Sequence, residues 1–362
     1  MARALVGLCL VIPACGFPDL PDRRSPKLVP TEPAFIAASA GGTDTADDDP
    51  AWWELAANAE GWEIWTRQGR LTDLLDQPPG FGPGAIRAFD DGTALTCGGN
   101  GIARWENGSW TKYPYPSLPD LVGEDNPLCF GFAAADPTEA WFVLGTGYLC
   151  RFDGQFDCAD VSQTITSDPI YGPRIINDVA MTSASVFIIH PQSSNDSTEL
   201  YVVDRGAPAQ SVRRIGTVNG QGHRLYAVPG VEQAVVELED DIDVRSPVVI
   251  NRDGIDRVID LRRLGNSGDS NLEIRANVVT LPDGIYVVAN RFYSSVECED
   301  GDDPDCTSTL HWSEMVVLRD RDGDVVEVGH LGVEGDVIAG TGFRVDGALR
   351  IETLDSWYRL AE

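Results

Sequence analysis

Gly101-Ile102-Ala103-Arg104-Trp105-Glu106-Asn107-Gly108-Ser109-Trp110, preceded by Asp91-Gly92-Thr93-Ala94-Leu95-Thr96, decides the fold because it occurs twice. The second copy is Asp136-Pro137-Thr138-Glu139-Ala140-Trp141-Phe142-Val143 followed by Gly147-Tyr148-Leu149-Cys150-Arg151-Phe152-Asp153-Gly154-Gln155-Phe156. Each copy reads as a turn, an apolar strand, a variable loop, a second strand, a tight glycine turn and a closing strand. Asn-Gly and Asp-Gly supply the positive φ that two-residue hairpin turns demand, and short runs of β-branched and aromatic residues between such turns read as strands. Weaker copies begin near Thr182, Pro229, Pro282 and Val345. Their strands include Leu200-Tyr201-Val202-Val203-Asp204-Arg205-Gly206, Val248-Val249-Ile250-Asn251-Arg252-Asp253-Gly254 and Met315-Val316-Val317-Leu318-Arg319-Asp320-Arg321-Asp322-Gly323. Only Ala51 to Ala59 offers a short helical stretch, so the chain is all-β.

The first four starts are about 46 residues apart, and a period of roughly 40–50 with several strands per unit is the signature of a β-propeller. About six blades are expected, with seven as the alternative count and a pair of β-sandwiches as the competing architecture. The last unit, Asp346 to Glu352 with Trp357 to Leu360, stops before an outer hairpin, whereas residues 61–71 look like an outer hairpin without inner strands. Joining them predicts a closed propeller whose N- and C-terminal strands share one blade, leaving no free sheet edge. The propeller domain is accordingly placed at residues 51–362. Residues 15–50 are rich in Pro, Ala, Thr and Asp and end in Asp47-Asp48-Asp49-Pro50, which predicts a flexible tether. A coil of about 35 residues would span roughly 30 Å on average.

At the start of the chain, Met1 and Arg3 precede a hydrophobic run from Ala4 to Ile12, and the stretch Ile12-Pro13-Ala14-Cys15 resembles a bacterial lipobox. That resemblance implies a signal peptide over residues 1–14, cleavage before Cys15 and a lipid on its sulfur. Two acyl chains suffice for stable anchoring, since each buried CH₂ contributes about 0.8 kcal/mol. No later stretch approaches the roughly 20 apolar residues of a transmembrane helix, so membrane contact is expected through Cys15 alone. In Gram-negative lipoproteins an aspartate after the cysteine retains the protein in the inner membrane; Gly16 here implies the outer membrane, with an extracytoplasmic body. The units, Gly101 to Trp110 above all, resemble those of bacterial lipoproteins with degenerate propeller repeats of the kelch, WD and regulator-propeller kind. Such propellers serve as binders, scaffolds and enzymes alike, so the fold implies no activity.

The formal charge of −30 and pI near 4.3 exclude nucleic acid and anionic lipid headgroups as ligands, because both need positive patches. Beyond Cys15, six cysteines remain, Cys97, Cys129, Cys150, Cys158, Cys298 and Cys306, an even number that reads as disulfides in an exported chain. Six cysteines allow 15 pairings. Cys150 with Cys158 and Cys298 with Cys306 flank short turn-like stretches, and local pairing would leave Cys97 with Cys129. The histidines, His190, His223, His311 and His330, lack zinc-ligand spacing.

Catalysis is not expected. The chain has no Gly-x-Ser-x-Gly elbow, phosphate-binding loop, His-Glu-x-x-His motif or Asp box, and among 57 acidic residues a random carboxylate pair means nothing. Calcium is the one candidate cofactor, through Asp320, Asp322 and Asp324, which alternate around Gly323 as an oxygen cage requires. Leu331 stands where an EF-hand would have its bidentate glutamate, and Asn251 to Gly254 forms the same turn without the extra carboxylates, which favours a plain hairpin turn. A second acidic loop, Glu299, Asp300, Asp302, Asp303 and Asp305, lies between Cys298 and Cys306. Of nine tryptophans, Trp65, Trp105, Trp110 and Trp141 sit at repeat positions and read as core, leaving Trp312 as the candidate exposed contact for a sugar ring. The reading is therefore of a lipid-anchored propeller that engages an envelope protein. A carbohydrate or cell-wall glycan is the alternative ligand, and an envelope hydrolase or lyase the third reading.

Overall fold

The computed structural model describes residues 20–31, 54–58, 61–66, 69–70, 86–88, 93–98, 101–107, 109–118, 129–144, 147–161, 164–165, 178–192, 196–239, 246–264, 272–297, 307–345, 348–353 and 356–361. Among these residues, strands form seven antiparallel sheets, six of four strands and one of three. The three-stranded first sheet comprises Glu54–Asn58, Gly61–Thr66 and Gly69–Arg70. The second runs Ile86–Ala88, Ala94–Gly98, Gly101–Glu106 and Ser109–Pro114, and the third Cys129–Asp136, Glu139–Leu144, Tyr148–Phe152 and Phe156–Asp160. The fourth holds Asp178–Met181, Ser185–Gln192, Ser197–Asp204 and Arg213–Asn219, and the fifth Gln221–Ala227, Gln233–Glu239, Val248–Asn251 and Gly254–Val258. The sixth is built from Leu272–Leu281, Gly284–Glu297, Thr307–Arg321 and Asp324–Glu334. Gly340–Val345, Ala348–Thr353 and Trp357–Arg359 form the seventh, completed by Val29–Thr31 from the other end of the chain.

The second to sixth sheets are four-stranded meanders, and from the second to the seventh the first strand of one sheet lies beside the first strand of the next. Sheets fanned around their first strands are the blades of a β-propeller. The burial pattern follows from that stacking. Middle strands such as Ala94–Gly98 and Glu139–Leu144 are buried along their whole length, covered on both faces, whereas the outermost Ser109–Pro114 exposes most of its residues. The apolar core is likewise divided into walls between consecutive sheets. Trp141, Val143 and Leu149 of the third sheet pack against Val186, Ile188 and Tyr201 of the fourth, and Val279, Val288 and Val317 of the sixth against Leu349 and Ile351 of the seventh. Close approach needs small residues: a Cβ on Gly342 would sit 2.7 Å from Val288 Cγ2 of the sixth sheet.

The chain ends do share a sheet, but through a different segment from the one expected. Residues 61–66 belong to the separate first sheet, which includes Glu54–Asn58 as a strand where a short helix was expected. Closure is made by Val29–Thr31, whose Val29, Pro30 and Thr31 pair with Arg359, Tyr358 and Trp357. Part of the expected tether is therefore in the body. Leu28, 4% exposed, packs into the wall between the sixth and seventh sheets, and that burial holds the segment down. Pro30 is tolerated because an outermost strand uses only one of its edges.

Two disulfides lie among the described residues. Cys97–Cys129, 32 residues apart in sequence, ties the second sheet to the third, and Cys150–Cys158, 8 apart, crosslinks directly opposed residues of neighbouring strands in the third. Cys298 and Cys306 lie outside the described residues. No helix among the described residues is long and apolar enough to cross a membrane.

Candidate functional site

The sixth sheet carries the longest strands, Gly284–Glu297 and Thr307–Arg321, and their register sets Arg291 opposite Glu314 and Tyr293 opposite Trp312. Because side chains alternate along a strand, Arg291 and Tyr293 share one face with Trp312 and Glu314. Tyr293 and Trp312 stack with ring centroids 5.5 Å apart and planes 13° from parallel, and the Arg291 guanidinium carbon lies 5.2 Å from the Trp312 ring. Arg291 Nη1 donates to Glu314 Oε2. Glu314 is 1% exposed and Arg291 6%, so this pair is taken out of water almost entirely.

Burying two charges is costly unless the remaining lone pairs are satisfied. The chain meets that cost with Arg23, whose Nε and Nη2 grip the two oxygens of Glu314 at 2.7 and 2.8 Å while Nη1 reaches Glu327 at 3.1 Å. Ser25 Oγ donates to Glu327 Oε1 at 2.5 Å and stands 2.9 Å from His330 Nδ1. The backbone continues the attachment: Leu28 N donates to His330 O, and His330 N donates to Pro26 O. Leu20 covers Gly332, where a Cβ would lie 2.9 Å from the leucine side chain. Residues 20–28 thus lie as a strap over the sixth sheet before entering the seventh. Two guanidiniums and two carboxylates make the cluster neutral. Arg23 is held above its ordinary pKa by hydrogen bonds to Glu314, and burial pulls Arg291 below its own, with Glu314 opposing.

The cluster does not have the order of a nucleophilic triad. There the imidazole stands between hydroxyl and carboxylate; here the Ser25 hydroxyl stands between Glu327 and His330, so its single proton serves one of them. A second contact, Ser295 Oγ to His311 Nε2 at 2.8 Å, is of nucleophile–base length, but Ser295 is buried. The arrangement fastens the strap.

Charged side chains elsewhere are also mated across sheet boundaries. Arg205 of the fourth sheet reaches Glu139 and Asp136 of the third, and Glu139 also accepts from Arg151 and from the Trp141 indole. Arg252 pairs with Asp204, and Arg257 with Asp320. Glu232 accepts from Thr182, Ser183 and the Ala184 backbone. Burial alone would raise the pKa of Glu232 and of Asp136, but hydrogen bonds from Ser183 and Thr182 in the first case, and from Thr138 with the charge of Arg205 in the second, hold both low. Amides replace charges at the last interface. Asn277 and Asn290 each donate to and accept from the backbone of Gly342 and Gly340, extending the sixth sheet's hold onto the strand Gly340–Val345.

The residues singled out by sequence fall as follows. Trp312 is not an exposed contact: it is 4% exposed, sealed between Tyr293 and Arg291. Asp320, also buried, gives one carboxylate oxygen to both Nε and Nη2 of Arg257 at 2.9 and 2.7 Å and the other to Gly323 N. Asp322 and Asp324 are exposed on the turn, Asp322 with φ of 54°. No group of three or more His, Cys, Asp or Glu among the described residues is arranged to hold a metal ion. Asp320 acts as a clasp between the fifth and sixth sheets. Trp105 and Trp141 are core, with Trp110 edge-on against Trp105 at 5.5 Å. Cys15 and the loop Glu299 to Asp305 lie outside the described residues. Sequence reasoning missed Arg23, Ser25, Arg291 and Glu314. The available signal was Glu314 itself, an acid two residues after a tryptophan and directly before the apolar run Met315-Val316-Val317-Leu318.

No family model matches the sequence, and no curated protein sequence matches it. Similar solved structures include YCF48 from Cyanidioschyzon merolae, 11% identical over 93% of this chain and 98% of that one with a TM-score of 0.46. The β-propeller domain of Nup133 from Vanderwaltozyma polyspora is 8% identical over 89% and 94% of the two chains, with a TM-score of 0.43. Hydrazine synthase of Kuenenia stuttgartiensis is 15% identical over 76% and 74%, with a TM-score of 0.41. Likenesses this distant assign no ligand or reaction to the chain.

Proposed function

We propose that this chain is a propeller lipoprotein, anchored through Cys15 in the outer membrane, that presents its loops to a protein partner at the cell envelope and does no chemistry of its own. The observation that supports this reading is where the buried and half-buried charges go. Asp136, Glu139, Glu232, Asp320 and Glu314 each hold one part of the fold to another. A body tied together in this way keeps its loops at fixed spacings, which lowers the ordering cost of forming an interface. The charge of −30 points to a partner with a basic contact surface, and would speed its capture. The glycan reading rested on an exposed Trp312 and loses that support.

The test is crosslinking in the producing cell with tagged, full-length protein, alongside a Cys15→Ala variant, followed by mass spectrometry. A protein enriched only with the intact anchor is the expected result. Membrane attachment without any enriched protein would overturn the scaffold reading and favour a glycan ligand or catalysis. A Cys15→Ala variant that stays in the membrane fraction would overturn the anchor.

A further inference from the structure

The strap changes where such an anchor would place the protein. We infer that the sixth-sheet side of the propeller is kept near the lipid surface by a short link, not displaced from it on a long tether. The inference rests on the lipid-anchor reading and adds a geometry to it.

The expected tether ran from Cys15 to residue 50, but the chain is fastened to the body from Leu20 onward. Leu20 covers Gly332, Arg23 grips Glu314 and Glu327, Ser25 reaches Glu327 and His330, and Val29–Thr31 completes the seventh sheet. These attachments are of different kinds, and Glu314 is 1% exposed, so detaching Arg23 would strip a buried carboxylate of its bidentate partner. Between Cys15 and Leu20 the chain advances five residues. At 3.3–3.6 Å per residue that interval reaches at most about 18 Å, against the roughly 30 Å average of a 35-residue coil. Glu334 lies two residues beyond Gly332 on the same strand and faces solvent, so with the Leu20 side chain included it stays within roughly 30 Å of the lipid headgroups. Gln155, on an exposed turn of the third sheet, is three sheets away from the strap in the stacking order. The net charge of −30 gives no attraction to an anionic surface, so proximity depends on the short link alone.

The experiment uses full-length lipidated protein purified from its host's membranes and reconstituted in phosphatidylcholine vesicles carrying an acceptor-labelled lipid. A donor fluorophore is placed at Glu334 or at Gln155. Energy transfer several-fold higher from position 334 than from 155 is expected. A flexible insertion of fifteen Gly and Ser residues between Asp19 and Leu20, which leaves the strap untouched, should abolish most of that difference. Equal transfer from the two positions in protein that floats with the vesicles would overturn this inference and leave the anchor intact. An unchanged difference after the insertion would also overturn it. Failure of the wild-type protein to float, or flotation unaffected by Cys15→Ala, would instead overturn the anchor reading, and the inference with it.

Discussion

Glu314 stands between two guanidiniums, and the consequences of removing it differ from those of removing either partner. Glu314→Ala leaves Arg291 buried without its counter-charge and should cost about 3–5 kcal/mol. Arg23→Ala should cost less, about 1–2 kcal/mol, because Glu314 keeps Arg291 and the Arg23 site is partly open to water. Urea denaturation of the two variants checks the order; an Arg23→Ala loss equal to that of Glu314→Ala would mean that the strap, not the pair, carries the energy. Glu232 gives a pH-dependent case. Its folded pKa is depressed, so its contribution is complete above the ordinary carboxylate value near 4.3 and is lost as the pH falls through the lower folded value. The stability gap between wild type and Glu232→Gln, about 1 kcal/mol, should therefore be widest at neutral pH and close in acid. A gap that widened below about pH 4 would contradict the assigned hydrogen bonds.

At the scale of elements, the two disulfides should differ in worth because they close loops of different length. With sequence separations of 32 and 8, loop-closure entropy assigns about 3.7 kcal/mol to Cys97–Cys129 and about 2.6 kcal/mol to Cys150–Cys158. Paired Cys→Ser replacements measured by denaturation should keep that order. Hairpins and their turns were legible in the sequence because their chemistry is local: Asn107 at φ of 52° and Asp322 at 54° precede Gly108 and Gly323, and each such pair fixes a turn without help from elsewhere. The closing strand was not legible. Val29–Thr31 is three residues in a Pro-rich stretch, and what makes it a strand is an edge offered by residues 357–359. The buried cluster was hidden for the same reason, since Arg23 and Glu314 are 291 residues apart and nothing near either one predicts the other.

Over the whole molecule, stability is divided among similar walls, each owned by two neighbouring sheets, as in other repeat architectures. The repeat period read from sequence located these units. Six sheets, the second to the seventh, stack side by side among the described residues, and the three-stranded first sheet lies where an outer hairpin was recognised in the sequence. With Asp320 committed to Arg257, excess EDTA should move the melting temperature by less than about 1 °C. A larger fall would return calcium to the reading, at carboxylates other than that of Asp320.

The pairing of Val29–Thr31 with Trp357–Arg359 also sets an order in time. A ribosome delivers residue 29 long before residue 359, so the early strand must wait, its partners not yet synthesised, for almost the entire period of translation. Earlier sheets can pack as they emerge, but the seventh becomes whole only when the last residues arrive. Arg23 and Leu20 have their seat as soon as the sixth sheet is made, but Val29–Thr31 has none until residues 357–359 arrive, and in that interval a chaperone, or the edge of another copy, competes for the same strand.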